Sequence, residues 1–120
     1  MKIDARTILS TLALMLAATA AWAQFPDRTI TMVVPFPPGG VADTVARPMA
    51  EAMSRDLKQS VVIENKAGAN GSIAASYVAR SAPDGYTLFV TTNTTHSANP
   101  YLLKNMTYDP IKDFTPIART

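Results

Sequence analysis

Cysteine is absent from the 120 residues. That excludes disulfide staples, thiolate zinc sites and a cysteine-linked lipid anchor. Histidine occurs once, at His96, so acid–base chemistry has a single obvious carrier. Glycine is scarce, and its spacing excludes the common phosphate motifs. No Gly-Lys-Ser/Thr follows Gly39-Gly40, so this is not a P-loop. The run Gly68-Ala69-Asn70-Gly71 lacks the G-x-G-x-x-G spacing of a dinucleotide site. No Gly-x-Ser-x-Gly elbow occurs. No basic stripe with interleaved aromatics appears, which argues against nucleic acid as a partner. Internal repeats and low-complexity linkers are missing too, so the only boundary lies near the N-terminus.

There, Lys2 and Arg6 precede an apolar run from Ile8 to Ala21, and Ala21-Trp22-Ala23 fits an A-x-A cleavage site. Residues 1–23 are expected to be a secretory signal peptide, cut between Ala23 and Gln24. The run falls short of the roughly 20 residues a spanning helix needs, although an uncleaved anchor is the competing reading. No later stretch is apolar enough to span a membrane. Removing the segment leaves nine basic and eight acidic residues, so the mature charge is close to neutral.

The stretch Val33-Val34-Pro35-Phe36-Pro37-Pro38-Gly39-Gly40-Val41-Ala42-Asp43 organises the remainder. Thr29–Val34 is apolar and β-branched, as in a strand covered on both faces. Three prolines stop the ladder, and Gly39 and Gly40 can take positive φ. A helix is expected over Ala42–Leu57, with Asp43 or Thr44 as a cap and Val45, Met49, Ala52, Met53 and Leu57 on one face. Pro48 sits inside it and should strain it. A helix start behind a glycine bend offers free N–H groups and a positive dipole end, suited to a carboxylate or phosphate. The competing reading is a tight βα connection without a ligand.

Further along, Val61-Val62-Ile63 reads as a second strand ending in Glu64-Asn65. Gly71-Ser72 starts a second helix, whose buried side should be Ile73, Ala74, Tyr77 and Val78. Pro83-Asp84-Gly85 is a turn, Thr87–Thr91 a third strand, and Pro100–Leu103 one helical turn. Ile117-Ala118 should open a fourth strand. The alternation predicts an α/β fold in three layers, a parallel sheet with helices on both faces. Ligands of such sheets sit at the strand C-terminal edge where strand order reverses. The loops after strands one and three reach that edge. The second of them, Thr91-Thr92-Asn93-Thr94-Thr95-His96-Ser97, is rich in hydroxyl and amide groups that orient polar ligands; an ordinary solvated loop is the alternative. Asp43 can either cap the helix, hold the loop in shape or face the ligand, where it would repel an anion.

Taken together, Pro35-Phe36-Pro37-Pro38-Gly39-Gly40, Asp43, Glu64-Asn65, Gly68, Gly71, Ala82-Pro83-Asp84-Gly85-Tyr86-Thr87-Leu88, Tyr108-Asp109-Pro110 and Lys112-Asp113-Phe114 resemble the Bug-type receptors of tripartite tricarboxylate transporters. The resemblance covers the chain after residue 24. It implies a periplasmic, non-lipidated, monomeric receptor for small di- or tricarboxylates, with no cofactor, that hands its solute to membrane permease subunits. It implies the first part of lobe one of a two-lobed type II periplasmic-binding-protein-like fold, truncated, over residues 24–120. By position, Phe36, Pro38, Gly39, Gly40 and Asp43 would serve the ligand from one loop, and Thr92, Asn93, Thr94 and His96 from the other. Two alternatives remain: an exported α/β enzyme acting on a carboxylated substrate through His96, and a ligand-free periplasmic sensor or adaptor. A receptor has no turnover to lose when His96 is replaced by alanine, which separates it from the enzyme.

Overall fold

The computed structural model describes residues 24–119. The expected signal segment, including Ala23, lies outside the described residues, and Gln24 is the first of them. The elements are β1 (Ile30–Val34), α1 (Val41–Leu57), β2 (Val61–Asn65), α2 (Ser72–Ala79), β3 (Thr87–Phe89) and α3 (Asn99–Leu102). A 3-10 turn at Ala69–Gly71 leads into α2, and a π-helical turn at Thr94–Ala98 leads into α3. No helix among the described residues is long and apolar enough to cross a membrane.

The three strands are parallel, in the order β2-β1-β3. Ile30 pairs with Val61 and Val34 with Asn65 on one side; Thr31 pairs with Thr87 and Val33 with Phe89 on the other. β1 is thus central, and its run of Ile30, Met32, Val33 and Val34 is fully buried, as a strand covered on both faces must be. Ile30, Met32 and Val34 pack against Ala46 and Ala50 of α1, with Met49, Met53 and Leu57 at the rim. The second crossover runs in the opposite direction along the sheet, so right-handedness puts α2 on the other face. There it bears on β3 and β1 through its short buried residues Ala74 and Ala75.

Each helix keeps only part of the face expected of it: Met49, Met53 and Leu57 of α1 pack against the core and Ala74 of α2 is buried, but their other members are not. Ile73 and Tyr77 are 52% and 43% exposed, because the close approach of α2 to the sheet admits only alanine. In α1 the buried seam runs through Asp43, Ala46 and Ala50, which turns Val45 outward. Pro48 is accommodated without ending the helix. It lies on the exposed side, where water can satisfy the carbonyl left without its N–H partner. The expected fourth strand is not formed among the described residues: Ile117 and Ala118 are exposed and unpaired. β3 is shorter than expected, although the Val90 amide extends its ladder by donating to Val33 O at 2.9 Å.

Three segments meet at Gly71. It has φ +81°, and a Cβ there would come within 2.6 Å of Thr95 Cγ2 and 3.1 Å of Pro35 Cβ. The loop after β1, the turn before α2 and the loop after β3 are therefore in contact at the sheet's C-terminal edge. Gly71→Ala should lower stability by about 2–4 kcal/mol, from the left-handed backbone and the overpacking together. Urea denaturation of the two proteins measures it, and an unchanged midpoint would show that the junction is loose.

Candidate functional site

A 2-1-3 strand order reverses direction beside β1, between β1 and β3. The chain leaves β1 towards α1 on one face. It leaves β3 towards the α2 face, where Asn99 Nδ2 donates to Asn70 O at 3.1 Å. The Pro35–Gly40 bend and Thr92-Asn93 both lie at this edge, past the ends of β1 and β3.

The bend is built around Asp43. This residue is only 1% exposed, yet its carboxylate is fully engaged. Oδ2 accepts the Gly39 amide at 2.9 Å and Arg47 Nε at 2.7 Å. Oδ1 accepts Arg47 Nη2 at 3.0 Å and Asn65 Nδ2 at 2.9 Å. The same Asn65 nitrogen donates to Phe36 O at 3.0 Å. Hydrogen bonds from Arg47, the Gly39 amide and Asn65, in that order, outweigh desolvation and hold the Asp43 carboxyl at about 2, below its ordinary 3.8. Asp43 raises the Arg47 guanidinium in turn.

These contacts correct the expected anion site. The Gly39 amide is taken by Asp43, and the Gly40 amide donates to Pro37 O at 3.3 Å. Gly40 is extended, with φ −73° and ψ 169°, and only Gly39 takes positive φ, at 81°. Neither Asp43 nor Thr44 caps the helix; Gly40 occupies the N-cap without a side-chain bond. Among the described residues, the amides without an acceptor at this helix start are those of Val41, Ala42 and Asp43. Val41 is 87% exposed, and nothing lies within 4 Å of the position a Gly39 Cβ would take. Pro38 is exposed and Phe36 half-buried on the same bend. Asp43 does not face outward: it holds the bend from behind.

The loop after β3 is wired differently. Thr95 is buried, and its hydroxyl donates to Thr92 O at 2.9 Å while its carbonyl accepts Tyr108 OH at 2.7 Å. Tyr108 OH also accepts Asn99 Nδ2 at 3.1 Å. His96 turns inward: Nδ1 lies 2.6 Å from Thr91 Oγ1, and the ring packs edge-on against Phe114 at 4.9 Å. Burial pushes its pKa below the usual histidine value. Phe114 also stacks on Phe89 at 5.7 Å. Of the expected ligand residues on this loop, Asn93 is exposed and Thr94 half-buried. Thr92 Oγ1 is buried and has no partner among the described residues.

Sequence reasoning missed Asn65 and Arg47 in this constellation, and Tyr108, Asn99 and Phe114 behind the polar loop. Arg47 was recoverable, since an Asp and an Arg four apart on a helix face each other. Asn65 was not, because only the sheet register brings it to Asp43.

The family described as tripartite tricarboxylate transporter family receptor matches residues 45–120. The chain belongs to this receptor family. The chain is 41% identical over 112 residues to a UPF0065 protein of Bordetella pertussis, covering 91% of this chain and 35% of that protein. Among solved structures, MatC of Rhodopseudomonas palustris with bound malate superposes with a TM-score of 0.74 at 51% identity, over 77% of this chain and 31% of MatC. The periplasmic binding protein BugD gives 0.70 at 44% identity, over 78% of this chain and 31% of BugD. The chain thus spans about a third of the length of the relatives it matches.

Because the Asp43 carboxyl is depressed on folding, its stabilisation is complete above about pH 4 and is lost as pH falls towards 2. Denaturation of the wild type should show this loss, and Asp43→Asn should flatten the profile in the same window. Parallel profiles would mean that the carboxylate is not held.

Proposed function

We propose that this chain supplies part of the first lobe of an exported periplasmic receptor for a small di- or tricarboxylate, which it delivers to membrane permease subunits. The observation that carries the reading is the open α1 terminus at the strand-order reversal, with the Val41, Ala42 and Asp43 amides unused. Three convergent N–H groups at the positive end of a 17-residue helix form a receptor for one carboxylate group. Asn93 and Thr94, from the loop after β3, supply neutral donors and acceptors for the rest of the solute. Phe36 covers its carbon skeleton. The malate in MatC, a relative of the same fold, supports a dicarboxylate of that size. Such a site calls for no turnover, and His96 is engaged by Thr91 and packed on Phe114.

The test is a proton–nitrogen NMR titration of the chain with malate and with citrate. The amides of Val41, Ala42, Asp43 and Asn93 should shift together, with millimolar affinity from this open ledge. Val41→Pro deletes one donor at N1, where proline suits a helix, and the extended Gly40 tolerates a following proline. It should weaken binding about tenfold, the value of one hydrogen bond to a charged group, and leave the melting temperature unchanged. Val41→Ala should bind as the wild type does. Amides that stay in place at tens of millimolar malate would remove the assignment.

A further inference from the structure

We infer that Asn65 is a positioning residue for the carboxylate site: one side-chain amide fixes both ends of the Phe36–Gly39 bend. This rests on the reading of the α1 terminus given above. Its Nδ2 reaches Phe36 O at 3.0 Å and Asp43 Oδ1 at 2.9 Å. Asp43 Oδ2 in turn holds the Gly39 amide at 2.9 Å. Phe36 is thus tied directly and Gly39 through one carboxylate.

The anchor itself is rigid. Asn65 ends β2 opposite Val34, and the next amide, Lys66 N, donates to Val34 O at 2.9 Å. The side chain therefore springs from a paired backbone, and the sheet fixes its reach, as a supporting residue requires. The chemistry at this point selects asparagine. Both targets are acceptors, one of them charged, and a primary amide offers two N–H bonds from a single neutral nitrogen. Aspartate has the same shape and offers none when ionised. A lysine would add a charge that Arg47 already supplies.

Without Asn65 the Phe36 carbonyl loses its tie, and Asp43 loses one of its four donors. The carboxylate is then free to turn, and with it the Gly39 amide that sets the approach to Val41. A looser bend leaves the three helix amides formed but blocks or misdirects the solute.

Asn65→Ala and Asn65→Asp, each in the full chain, test this by NMR titration with malate. Two readouts are taken: the Gly39 amide resonance and its relaxation before malate is added, and the malate affinity. Affinity should fall about tenfold in Asn65→Ala and further in Asn65→Asp, with Gly39 shifted and more mobile in both. A role in packing alone predicts the opposite order, because aspartate keeps the shape of asparagine. The inference is overturned if the wild type responds to malate while either variant binds within twofold of it, or if Gly39 is unmoved. A wild type that does not respond overturns the carboxylate reading and this inference together. Where Asn65→Ala or Asn65→Asp does not fold, Asn65→Leu, which keeps the branched shape, adds no charge and offers no donor, takes its place in the same two readouts.

Discussion

A carboxylate buried to 1% exposure can exist only if its lone pairs are filled. Asp43 meets that condition with four N–H bonds, from Gly39, Asn65 and twice from Arg47. The requirement shapes everything near it. Arg47 must lie back along α1, Asn65 must end β2 where it does, and the proline-glycine bend must fold over the helix start. The bend owes its form to the saturation of one anion more than to its three prolines. The same bonds remove the Gly39 amide from use and move the free donors onward to Val41, Ala42 and Asp43.

The proposed anion site lies directly over a carboxylate and looks self-defeating, since two negative charges should repel. The Arg47 fork resolves it. Both of its bonds to Asp43 close the pair geometrically, so the site senses a dipole and not a net charge. The Asp43 side chain faces inward, while its backbone amide, in the first turn of α1, has no acceptor among the described residues. On the reading proposed above, one residue contributes a donor to the solute side and an acceptor to the scaffold side. Its low pKa keeps that division fixed across the physiological range.

The order of elements, the parallel sheet and the edge that carries both loops were legible in the sequence, because strand and helix periods differ and crossovers have one hand. Helix faces were less legible. Ile73 and Tyr77 look like a buried stripe, but the distance between α2 and the sheet is set by Ala74, Ala75 and Gly71. Closeness at one point forces the larger neighbours outward. The polar loop misled in another way: its hydroxyls looked available, yet those of Thr91 and Thr95 serve the loop itself. Asn65 and Phe36 are 29 residues apart, and no local pattern records such a bond. The family resemblance marked Asn65, Tyr108 and Phe114 without saying what they do.

Magnitudes decide how much this edge can achieve. A helix terminus offers an anion about 0.3–2 kcal/mol, and a neutral hydrogen bond about 0.5–1.5. Micromolar binding needs about 8 kcal/mol after the cost of association. The Val41–Asp43 amides with Asn93 and Thr94, taken as the proposed contacts, fall short of that while water competes freely for each of them. Excluding the water strengthens every one of these bonds. A second surface closing over Gly39 would do so, and the open space above that residue leaves room for it. On the proposed reading the stiffness of the bend then matters twice: it would hold three amides towards one carboxylate, and it would give a closing surface a fixed partner. A flexible bend would spend part of each new contact on ordering itself.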